Sequence, residues 1–414
     1  MYKYAFLFGN HPTLSLAELI SYLDNHSISY SKYQILNDIF FIEIKRSPKL
    51  IAELQDKLGG IIKIFEIKDE FKGKIYGLEK ILTPEKLMKE WFAQRKTKIN
   101  FGISVYSNPD PSYAEFNWLN SFAYGIKRKL KDEYSIRYVE DKSLQLSSVQ
   151  VERNRLLDTG AEIALISNKD THYVGKTLSV QDYQSYSERD FDKPAPDAKS
   201  GMLPPKLAQI LINLTHTKRT KKIYDPFCGS GIVAQEALLM GFDAYGSDIS
   251  REAIRNTKKN IDWLIKLKKL KKLNLDTHFK EADAQNIKWQ TLNKPEVVIV
   301  TEPYLGPPLK SILFAKDTDP ITKELGDLYL GFFKNLKKNF PTIKQIGMVF
   351  PVFKTRDGLR YIEIIDDIKK LGYKVKKTLP PEMAKKDPGI SSRGGIMYSR
   401  PDQKILRELF VFQR

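Results

Sequence analysis

The segment YDPFCGSGIVAQEALLMGFDAYGSDIS, residues 224–250, constrains the fold more than any other part of this 414-residue chain. A short β-prone run leads to Asp225 and a glycine-rich loop, and an apolar helix and a second strand then lead to Asp248. Gly229 and Gly231 let the backbone approach a ligand closely, and the following helix points its N-terminal amides at the loop. The segment therefore predicts the strand, loop, helix and strand that begin a nucleotide-binding sheet.

Helix and strand patterns alternate from about residue 202 onward. Segments such as PEVVIVT, QIGMVFPVF and LDTHF have strand patterns and are separated by helical ones. The alternation predicts an α/β fold whose Rossmann-like sheet carries helices on both faces. The last two strand patterns, YKVKKTL and ILRELFVFQ, are expected to pair as an antiparallel hairpin at one edge.

The first 178 residues show a different rhythm of mixed helix and strand patterns. KYAFLFG, DIFFIEI and GGIIKIFEI predict strands. HPTLSLAELISYLD predicts a helix in which Ser15 is the N-cap and Glu18, three positions on, completes a capping box. We therefore expect a ferredoxin-like N-terminal domain over residues 1–67.

Three further segments complete the expected domain order. Residues 68–178 predict a second α+β domain, in which SSVQVERNRLL has a strand pattern. Residues 179–201 are rich in proline, serine and charge and predict a linker or strap. The α/β sheet then occupies residues 202–414.

The charge balance is strongly basic, since lysine and arginine exceed aspartate and glutamate by 68 − 50 = 18. Such a balance favours a polyanionic partner, although a solubilising surface would give the same totals. Basic residues cluster in the second expected domain, where a solvated face is the alternative to an RNA-binding surface. The candidates for RNA contact are Lys127, Arg128, Lys129, Arg153 and Arg155.

The single cysteine, Cys228, excludes an internal disulfide and a cysteine-built zinc site. Because Cys228 lies inside the glycine loop, we expect a small packed side chain rather than a nucleophile. No secretory or membrane-spanning pattern is found, so we expect a soluble, cytoplasmic protein that needs neither membrane nor metal. The sequence leaves the oligomeric state open and is compatible with a monomer.

Three carboxylates are expected at successive strand ends around the glycine loop. The glycine spacing also satisfies the dinucleotide fingerprint, so the loop alone leaves NAD and S-adenosylmethionine open. Asp225 favours the second, because a carboxylate there would repel a pyrophosphate and attract ammonium and sulfonium charges. Asp248 can accept from the ribose hydroxyls and Asp283 from the adenine amine. Helix capping is the alternative for either of these two singly.

A second candidate site follows the apolar strand in EVVIVTEPYLGPP. Glu302 and the Pro303 carbonyl could accept hydrogen bonds from an exocyclic amine, which would localise its lone pair and stabilise the charge that develops during attack. Tyr304 could stack on the base that carries the amine. The alternative is a rigid turn made by the proline.

These motifs carry a family resemblance. DPFCGSG, SDI, EADA and TEPY resemble motifs of the class I S-adenosylmethionine-dependent methyltransferases that act on exocyclic amines. The strap and first helix, QDYQSYSERDFDKPAPDAKSGMLPPKLAQILINL, and the opening FLFGNHPTLSLAELISYL are similar to the tRNA guanosine-10 N2-methyltransferases, a THUMP-domain group. Residues 68–178 stand where that group has its THUMP domain, matching it in position and basic character.

The resemblance implies a tRNA-modifying enzyme that transfers a methyl group from S-adenosylmethionine to guanine N2, while the N-terminal domains grip the tRNA. Glu302, Pro303 and Tyr304 are the implied catalytic residues. Leu203–Lys206 match the segment beside the cofactor. The positions that match the family's cofactor motifs are Asp225, Phe227, Gly229, Gly231, Asp248, Ile249, Asp283 and Ala284.

The chain departs from the family at its catalytic motif, which usually reads Asp-Pro-Pro-Tyr. We align Glu302 with the aspartate because a carboxylate is retained; the other register places Thr301 there. The glutamate adds a methylene and shifts the oxygens. Three other functions remain open: an amino-methyltransferase acting on another RNA or DNA base, a non-catalytic tRNA-binding protein, and an NAD enzyme, which Asp225 disfavours.

Overall fold

A computed structural model describes residues 1–92, 98–107, 109–196, 202–384 and 389–414. The described chain divides into two compact units. The N-terminal unit comprises Met1–Asn10, Ile28–Lys57 and Ile61–Tyr183. The C-terminal unit comprises His11–Ser27, Leu58–Gly60 and Gln184–Arg414.

Fourteen α-helices occur in the described residues. In chain order they are α1 Pro12–Asn25, α2 Pro48–Ala52, α3 Leu78–Ile81, α4 Pro84–Lys86, α5 Tyr113–Leu130, α6 Ser148–Arg153, α7 Tyr183–Phe191, α8 Pro205–Thr215, α9 Ile232–Leu239, α10 Arg251–Lys268, α11 Leu275–His278, α12 Ala315–Asn339, α13 Ile365–Lys370 and α14 Pro381–Ala384.

The N-terminal unit is built on one eight-stranded sheet with strand order β2-β3-β1-β4-β8-β7-β5-β6. Its strands are β1 Tyr2–Phe8, β2 Tyr30–Leu36, β3 Ile39–Ile44, β4 Ile61–Lys72, β5 Ile99–Ser107, β6 Ile136–Tyr138, β7 Ala161–Asn168 and β8 Thr171–Val180. The expected boundary between residues 67 and 68 falls inside β4, which pairs with β1 and with β8. Strands from both expected N-terminal domains therefore share a sheet, and the ferredoxin-like and THUMP-like assignments stay predictions.

One strand prediction in this unit is wrong. The segment SSVQVERNRLL contains α6 rather than a strand, because Ser147 and Gln150 form a capping box that starts a helix. The Ser147 side chain accepts from the Gln150 backbone N–H at 3.3 Å, and the Gln150 side chain accepts from the Ser147 N–H at 2.8 Å. This reciprocal pairing satisfies amides that a strand would have left to a neighbour.

The C-terminal unit contains a nine-stranded sheet, and the predicted Rossmann-like sheet is confirmed. Its main path runs β11-β10-β9-β12-β13-β17-β15, with β14 beside β13 and β16 beside β17. The strands are β9 Lys222–Asp225, β10 Asp243–Asp248, β11 Phe279–Glu281, β12 Val297–Thr301, β13 Gln345–Thr355, β14 Gly358–Arg360, β15 Lys374–Val375, β16 Ile396–Tyr398 and β17 Ile405–Gln413. β9 to β13 are parallel where they pair, so their carboxyl ends share one edge.

Two details of this sheet bear on the sequence predictions. The expected antiparallel pairing of the last two strand patterns is confirmed, since β15 pairs antiparallel with β17 at the end of the sheet. The expected hairpin is wrong, because β16 lies between these two strands in the chain and also pairs with β17. The segment LDTHF is not a strand along its length, because α11 occupies most of it and β11 begins only at Phe279. Asn274 explains the helix, since its side chain caps α11 by accepting from the Asp276 N–H at 3.2 Å.

Helix α1 belongs to the C-terminal unit, and its predicted capping box is wrong. The helix begins at Pro12 after His11, because proline is pre-organised for a first helical position. Ser15 and Glu18 are instead buried inside the helix. The Ser15 hydroxyl donates to the Gly60 carbonyl at 2.8 Å, and the Glu18 carboxylate accepts from the Gly60 N–H at 2.8 Å.

Aromatic side chains hold the sheet of the C-terminal unit in place from one face. Strand β12 is buried along its whole length. Tyr329, Phe332 and Phe333 of α12 are fully buried in the core that contains this strand. Full burial of each such side chain contributes about 1.5–3 kcal/mol, so the strand end that precedes Glu302 is rigidly supported.

Candidate active site

A cavity of about 760 Å³ lies at the carboxyl ends of β9, β10 and β12. Ten of the eleven residues that the sequence nominates for cofactor binding or catalysis line it, and Gly231 is the exception. Strand ends at a switch in strand order are where open α/β sheets place their ligands. The structure therefore brings the predicted residues together, while their individual roles stay predictions.

The glycine loop is held in a conformation that suits glycine. Gly229 has φ +49° and Gly231 has φ +85°, in the left-handed region. A Cβ on Gly231 would lie 2.9 Å from Thr257 Cγ2. Thr257 in turn donates its hydroxyl proton to the Gly229 carbonyl at 2.7 Å. Gly231 thus shapes the loop from behind, at the start of α9, rather than lining the cavity.

Cys228 is packed as the sequence predicted. Its side chain is buried, and Sγ lies 3.7 Å from the Thr257 hydroxyl. Burial raises the pKa of the thiol, and the charges of Asp225 and Asp248 add to that effect. A protonated, enclosed thiol is a poor nucleophile.

Asp248 and Asp283 each use part of their acceptor capacity to organise the cavity wall. Asp248 accepts from the Gly229 N–H at 3.0 Å and from the Ser250 N–H at 2.9 Å. Asp283 accepts from the Gln285 N–H at 2.9 Å. A carboxylate offers about four lone-pair sites, so both retain capacity for the hydroxyl or amine of a ligand. The N-cap of α10 is Ser250, which removes helix capping as the reason for Asp248.

Asp225 is buried at the floor of the cavity. Its carboxylate accepts from the Thr301 hydroxyl at 2.5 Å and from the Phe227 N–H at 3.1 Å. Burial raises the pKa of Asp225 to about 7, against the two hydrogen bonds, and the charges of Asp248 and Glu302 add to the increase. None of the ion pairs among the described residues involves Asp225, so a cationic ligand would supply a countercharge to its ionised form.

Glu302 is paired with an arginine that the sequence reasoning missed. Arg407 of β17 donates from Nε to Glu302 Oε1 at 2.6 Å and from Nη2 to Oε2 at 3.2 Å. Both side chains are less than a tenth exposed. Burial raises the pKa of the Glu302 carboxyl, and the guanidinium opposes this by stabilising the ionised form. The sequence signal that could have revealed Arg407 is an arginine inside the otherwise apolar strand pattern ILRELFVFQ.

The residues after Glu302 form a fixed turn with an accessible ring. Pro303 is buried, and the Tyr304 carbonyl accepts from the Tyr329 hydroxyl at 2.5 Å. The side chain of Tyr304 is 49% exposed. The backbone is therefore anchored while the phenol ring remains reachable, as stacking on a base requires.

The strap is tied to the glycine loop through Asn260, which the sequence reasoning also missed. Asn260 Nδ2 donates to the carbonyls of Ala195 and Ser230 at 2.9 Å each, and its Oδ1 accepts from the Ala195 N–H at 2.9 Å. Leu203, just beyond the strap, lines the cavity. Residues 197–201 of the expected strap lie outside the described residues.

The predicted RNA-contacting residues lie in the N-terminal unit at two helix ends. Lys127, Arg128 and Lys129 occupy the last turn of α5, and Lys127 Nζ lies 5.8 Å from the Tyr124 ring centroid. Arg153 ends α6. Arg155 is exposed and pairs with Asp158 at 3.7 Å. RNA contact by these five residues stays a prediction.

None of the helices in the described part of the chain is long and apolar enough to span a membrane. Within the same residues, no three histidine, cysteine or acidic side chains are grouped so as to hold a metal ion.

Two family models match the chain. Residues 193–342 match a model described as an RMKL-like methyltransferase domain. Residues 32–259 match a model described as a DNA methylase. Both matched regions include the glycine loop and Asp248.

Curated relatives align over part of the chain. The tRNA (guanine(10)-N2)-dimethyltransferase of Pyrococcus abyssi is 31% identical over 161 residues, which are 38% of this chain and 44% of that protein. The "Probable tRNA (guanine(10)-N2)-dimethyltransferase" of Methanothermococcus thermolithotrophicus is 30% identical over 168 residues, 38% of this chain and 96% of that protein. The chain spans about half the length of the longer curated relatives, 44% and 48%.

A solved structure shares the fold along the whole chain. TrmN from Thermus thermophilus has a TM-score of 0.53 at 13% identity, with all of both chains covered. At this identity the likeness concerns the fold alone.

Proposed function

The chain belongs to the tRNA (guanine(10)-N2)-dimethyltransferase family, and it also matches a DNA methylase model. From this premise we propose that it methylates the exocyclic N2 of a guanosine in tRNA, with guanosine-10 as the target. S-adenosylmethionine is the proposed methyl donor. A cytoplasmic location follows from the proposed tRNA substrate.

The cavity fits this donor. Its volume of about 760 Å³ lies within the roughly 300–1,000 Å³ of small-molecule sites. When bound, S-adenosylmethionine supplies a methyl group on a positively charged sulfur, which keeps the C–S bonding pair as the methyl group leaves. Asp225 would face the cationic amino-acid part, Asp248 the ribose hydroxyls and Asp283 the adenine amine. The left-handed Gly229 brings backbone close to the ligand without a side chain.

Glu302 and Pro303 would orient the target amine. The Glu302 carboxylate already accepts two hydrogen bonds from Arg407 and has sites left for an N–H of guanine N2. The Pro303 carbonyl would accept the second N–H, and Tyr304 would stack on the base. The negative charge of Glu302 then stabilises the positive charge that develops on N2, and after the new C–N bond forms the extra proton on N2 passes to water.

The observation that carries the proposal is the meeting of Glu302, Pro303 and Tyr304 with the three acids at one cavity. A single carboxylate has many structural uses, but this set supplies a cationic-ligand site and an amine-orienting site side by side. The N-terminal unit would grip the tRNA through the cluster that includes Lys127 and Arg153, in the place of a THUMP domain.

The match of residues 32–259 to a DNA methylase model favours a second candidate, an amino-methyltransferase acting on another nucleic-acid base. A non-catalytic tRNA-binding protein would keep the fold without turnover. The three candidates differ in substrate and in activity, so one assay separates them.

The test is transfer of labelled methyl groups from S-adenosylmethionine to unmodified tRNA, followed by nucleoside analysis for mono- and dimethylated guanosine. A tRNA with adenosine in place of guanosine-10 is the matched substrate control, and duplex DNA tests the second candidate. We expect N2-methylguanosine from the first substrate only. Label in DNA would support the second candidate, and absence of label from every substrate would contradict the proposed function.

A further inference from the structure

Strand β13 extends past its neighbour β12 at the edge of the sheet where the cavity lies, and its other neighbour, β17, pairs with it as far as Val352. It pairs with β12 over Ile346–Met348 and then continues to Thr355 before turning back as β14. Thr355 lies seven positions after Met348, which places the turn roughly 23 Å further along the strand direction. The resulting β13–β14 hairpin therefore projects beyond the carboxyl end of β12.

The loop that follows Tyr304 is fastened to this hairpin. Leu313 forms a β-bridge with Thr355, and its carbonyl accepts from the Arg356 N–H at 2.9 Å. The Ala315 N–H donates to Asp357 Oδ2 at 2.8 Å. Residues 310–316 and 354–360 thus form one ordered surface, here called the hairpin platform, which the chain reaches directly from the catalytic turn.

The hairpin platform combines exposed apolar and cationic groups. Ile312, Phe314 and Leu359 are each more than two-fifths exposed. The Arg356 guanidinium lies over the Phe314 ring, 4.8 Å from its centroid. Lys310 and Lys316 are exposed as well, and so is the acid Asp317. Two further acids are partly engaged, Asp357 by the Ala315 N–H and Asp319 by Arg360 at 2.6 Å. Exposed apolar side chains grouped in this way mark an interaction surface.

We propose that the hairpin platform binds the single-stranded RNA next to the target guanosine. The inference rests on the proposed function, because a base that enters the cavity must leave the stack and leaves its neighbours unstacked. The planar side chains of Phe314 and Arg356 offer a stacking surface for such a neighbouring base. Lys310 and Lys316, on the same surface, would contact the phosphates of the bound strand. Positive charge together with accessible rings is the composition that single strands require.

The test compares Phe314→Ala, Phe314→Tyr and Arg356→Ala with the wild-type protein. The matched control is Arg219→Ala, an exposed arginine before β9 at the opposite edge of the sheet. Loss of one stacked base raises the tRNA KM about tenfold, and we expect this for Phe314→Ala with kcat and S-adenosylmethionine affinity unchanged. Phe314→Tyr, which keeps the ring, should restore the KM. Arg356→Ala should also flatten the salt dependence of binding, by a slope of about 1 if it contacts one phosphate.

Unchanged tRNA KM values in both alanine variants would overturn the proposal. A fall in sedimentation mass for these variants, with KM unchanged, would do the same by assigning the surface to a second copy of the chain. Binding of a short single-stranded oligoribonucleotide to the same proteins tests the hairpin platform independently of the proposed methyl transfer. If the wild type methylates no tRNA, weaker oligonucleotide binding by Phe314→Ala still supports the platform, and equal binding refutes it.

Discussion

Arg407 reaches Glu302 across an intervening strand. Arg407 lies on β17, and Glu302 follows β12, with β13 between these strands in the sheet. Two strand spacings amount to roughly 10 Å, which two long side chains bridge to bring Nε within 2.6 Å of Oε1. An aspartate in place of Glu302 would be one methylene shorter. The glutamate that departs from the family motif therefore has a partner matched to its length.

Replacing Arg407 should shift the pH dependence of catalysis. Loss of the guanidinium removes the group that favours ionised Glu302, so the pKa of Glu302 rises and the acidic limb of the kcat/KM profile moves to higher pH. Removal of one partner from a buried pair costs about 3–5 kcal/mol of stability. Steady-state methyl transfer by Arg407→Ala and Arg407→Lys, measured across a range of pH, gives the shift. An unchanged profile in a folded Arg407→Ala protein would contradict a role in positioning Glu302.

Glu302→Ala should abolish methyl transfer while leaving the affinity for S-adenosylmethionine nearly intact. Removal of an electrostatic contact to the developing charge lowers kcat by about a hundredfold or more. Calorimetry measures cofactor affinity, and a single-turnover assay measures transfer. Glu302→Gln is the companion variant, since it keeps the shape without the charge. Full turnover in either variant would remove Glu302 from the mechanism.

Asp248→Ala should weaken binding of S-adenosylmethionine severely. The variant loses a charged acceptor for the ribose and also the acceptor of the Gly229 N–H. Each hydrogen bond to a charged group contributes about 1.5–3 kcal/mol, so we expect Kd to rise by more than about tenfold. Asp243→Ala, at the exposed start of the same strand, is the matched control. Equal affinities of the two variants for the cofactor would refute the ribose role.

Cofactor affinity should rise with pH as Asp225 ionises. The pKa of Asp225 is raised to about 7, so the neutral acid predominates below this pH and the carboxylate above it. A cationic ligand favours the carboxylate, and Kd should therefore fall between about pH 6 and pH 8. Asp225→Asn should flatten that profile. The stability of the folded protein should change in the opposite direction. Because the pKa of Asp225 is higher in the folded than in the unfolded chain, protonation of Asp225 stabilises the folded state fully at low pH, and this contribution is lost as pH rises through about 7.

Gly231→Ala should destabilise the loop and weaken cofactor binding. A left-handed conformation costs about 1–2 kcal/mol for a residue with a Cβ, and at Gly231 that atom would also lie 2.9 Å from Thr257 Cγ2. Gly241→Ala isolates the backbone term, since Gly241 has φ +89° and open space around it. Thermal unfolding and calorimetry should show the larger effect at Gly231. Equal losses would exclude the contact with Thr257 as a contributor.

The sequence located the acids of the site because each lies in a contiguous motif at a strand end. Asp225 and Asp248 could be placed from local pattern and elementary electrostatics alone. Arg407 and Asn260 could not, because their partners lie on distant segments and only the folded chain brings them together. Ser15 was misassigned for a related reason, since local capping chemistry competes with a tertiary demand that the sequence does not display.

The assignment of α1 to the C-terminal unit has a consequence for how the protein is made. The Glu18 carboxylate in α1 accepts from Asn213 Nδ2 in α8 at 2.7 Å, although 195 positions separate the two residues. A helix synthesised near the start of the chain must therefore wait for α8 to emerge from the ribosome before it can settle. A fragment that starts at residue 202 would leave Asn213 without this acceptor and would remove α1 from beside α8, so the C-terminal unit as folded is not one continuous stretch of the chain.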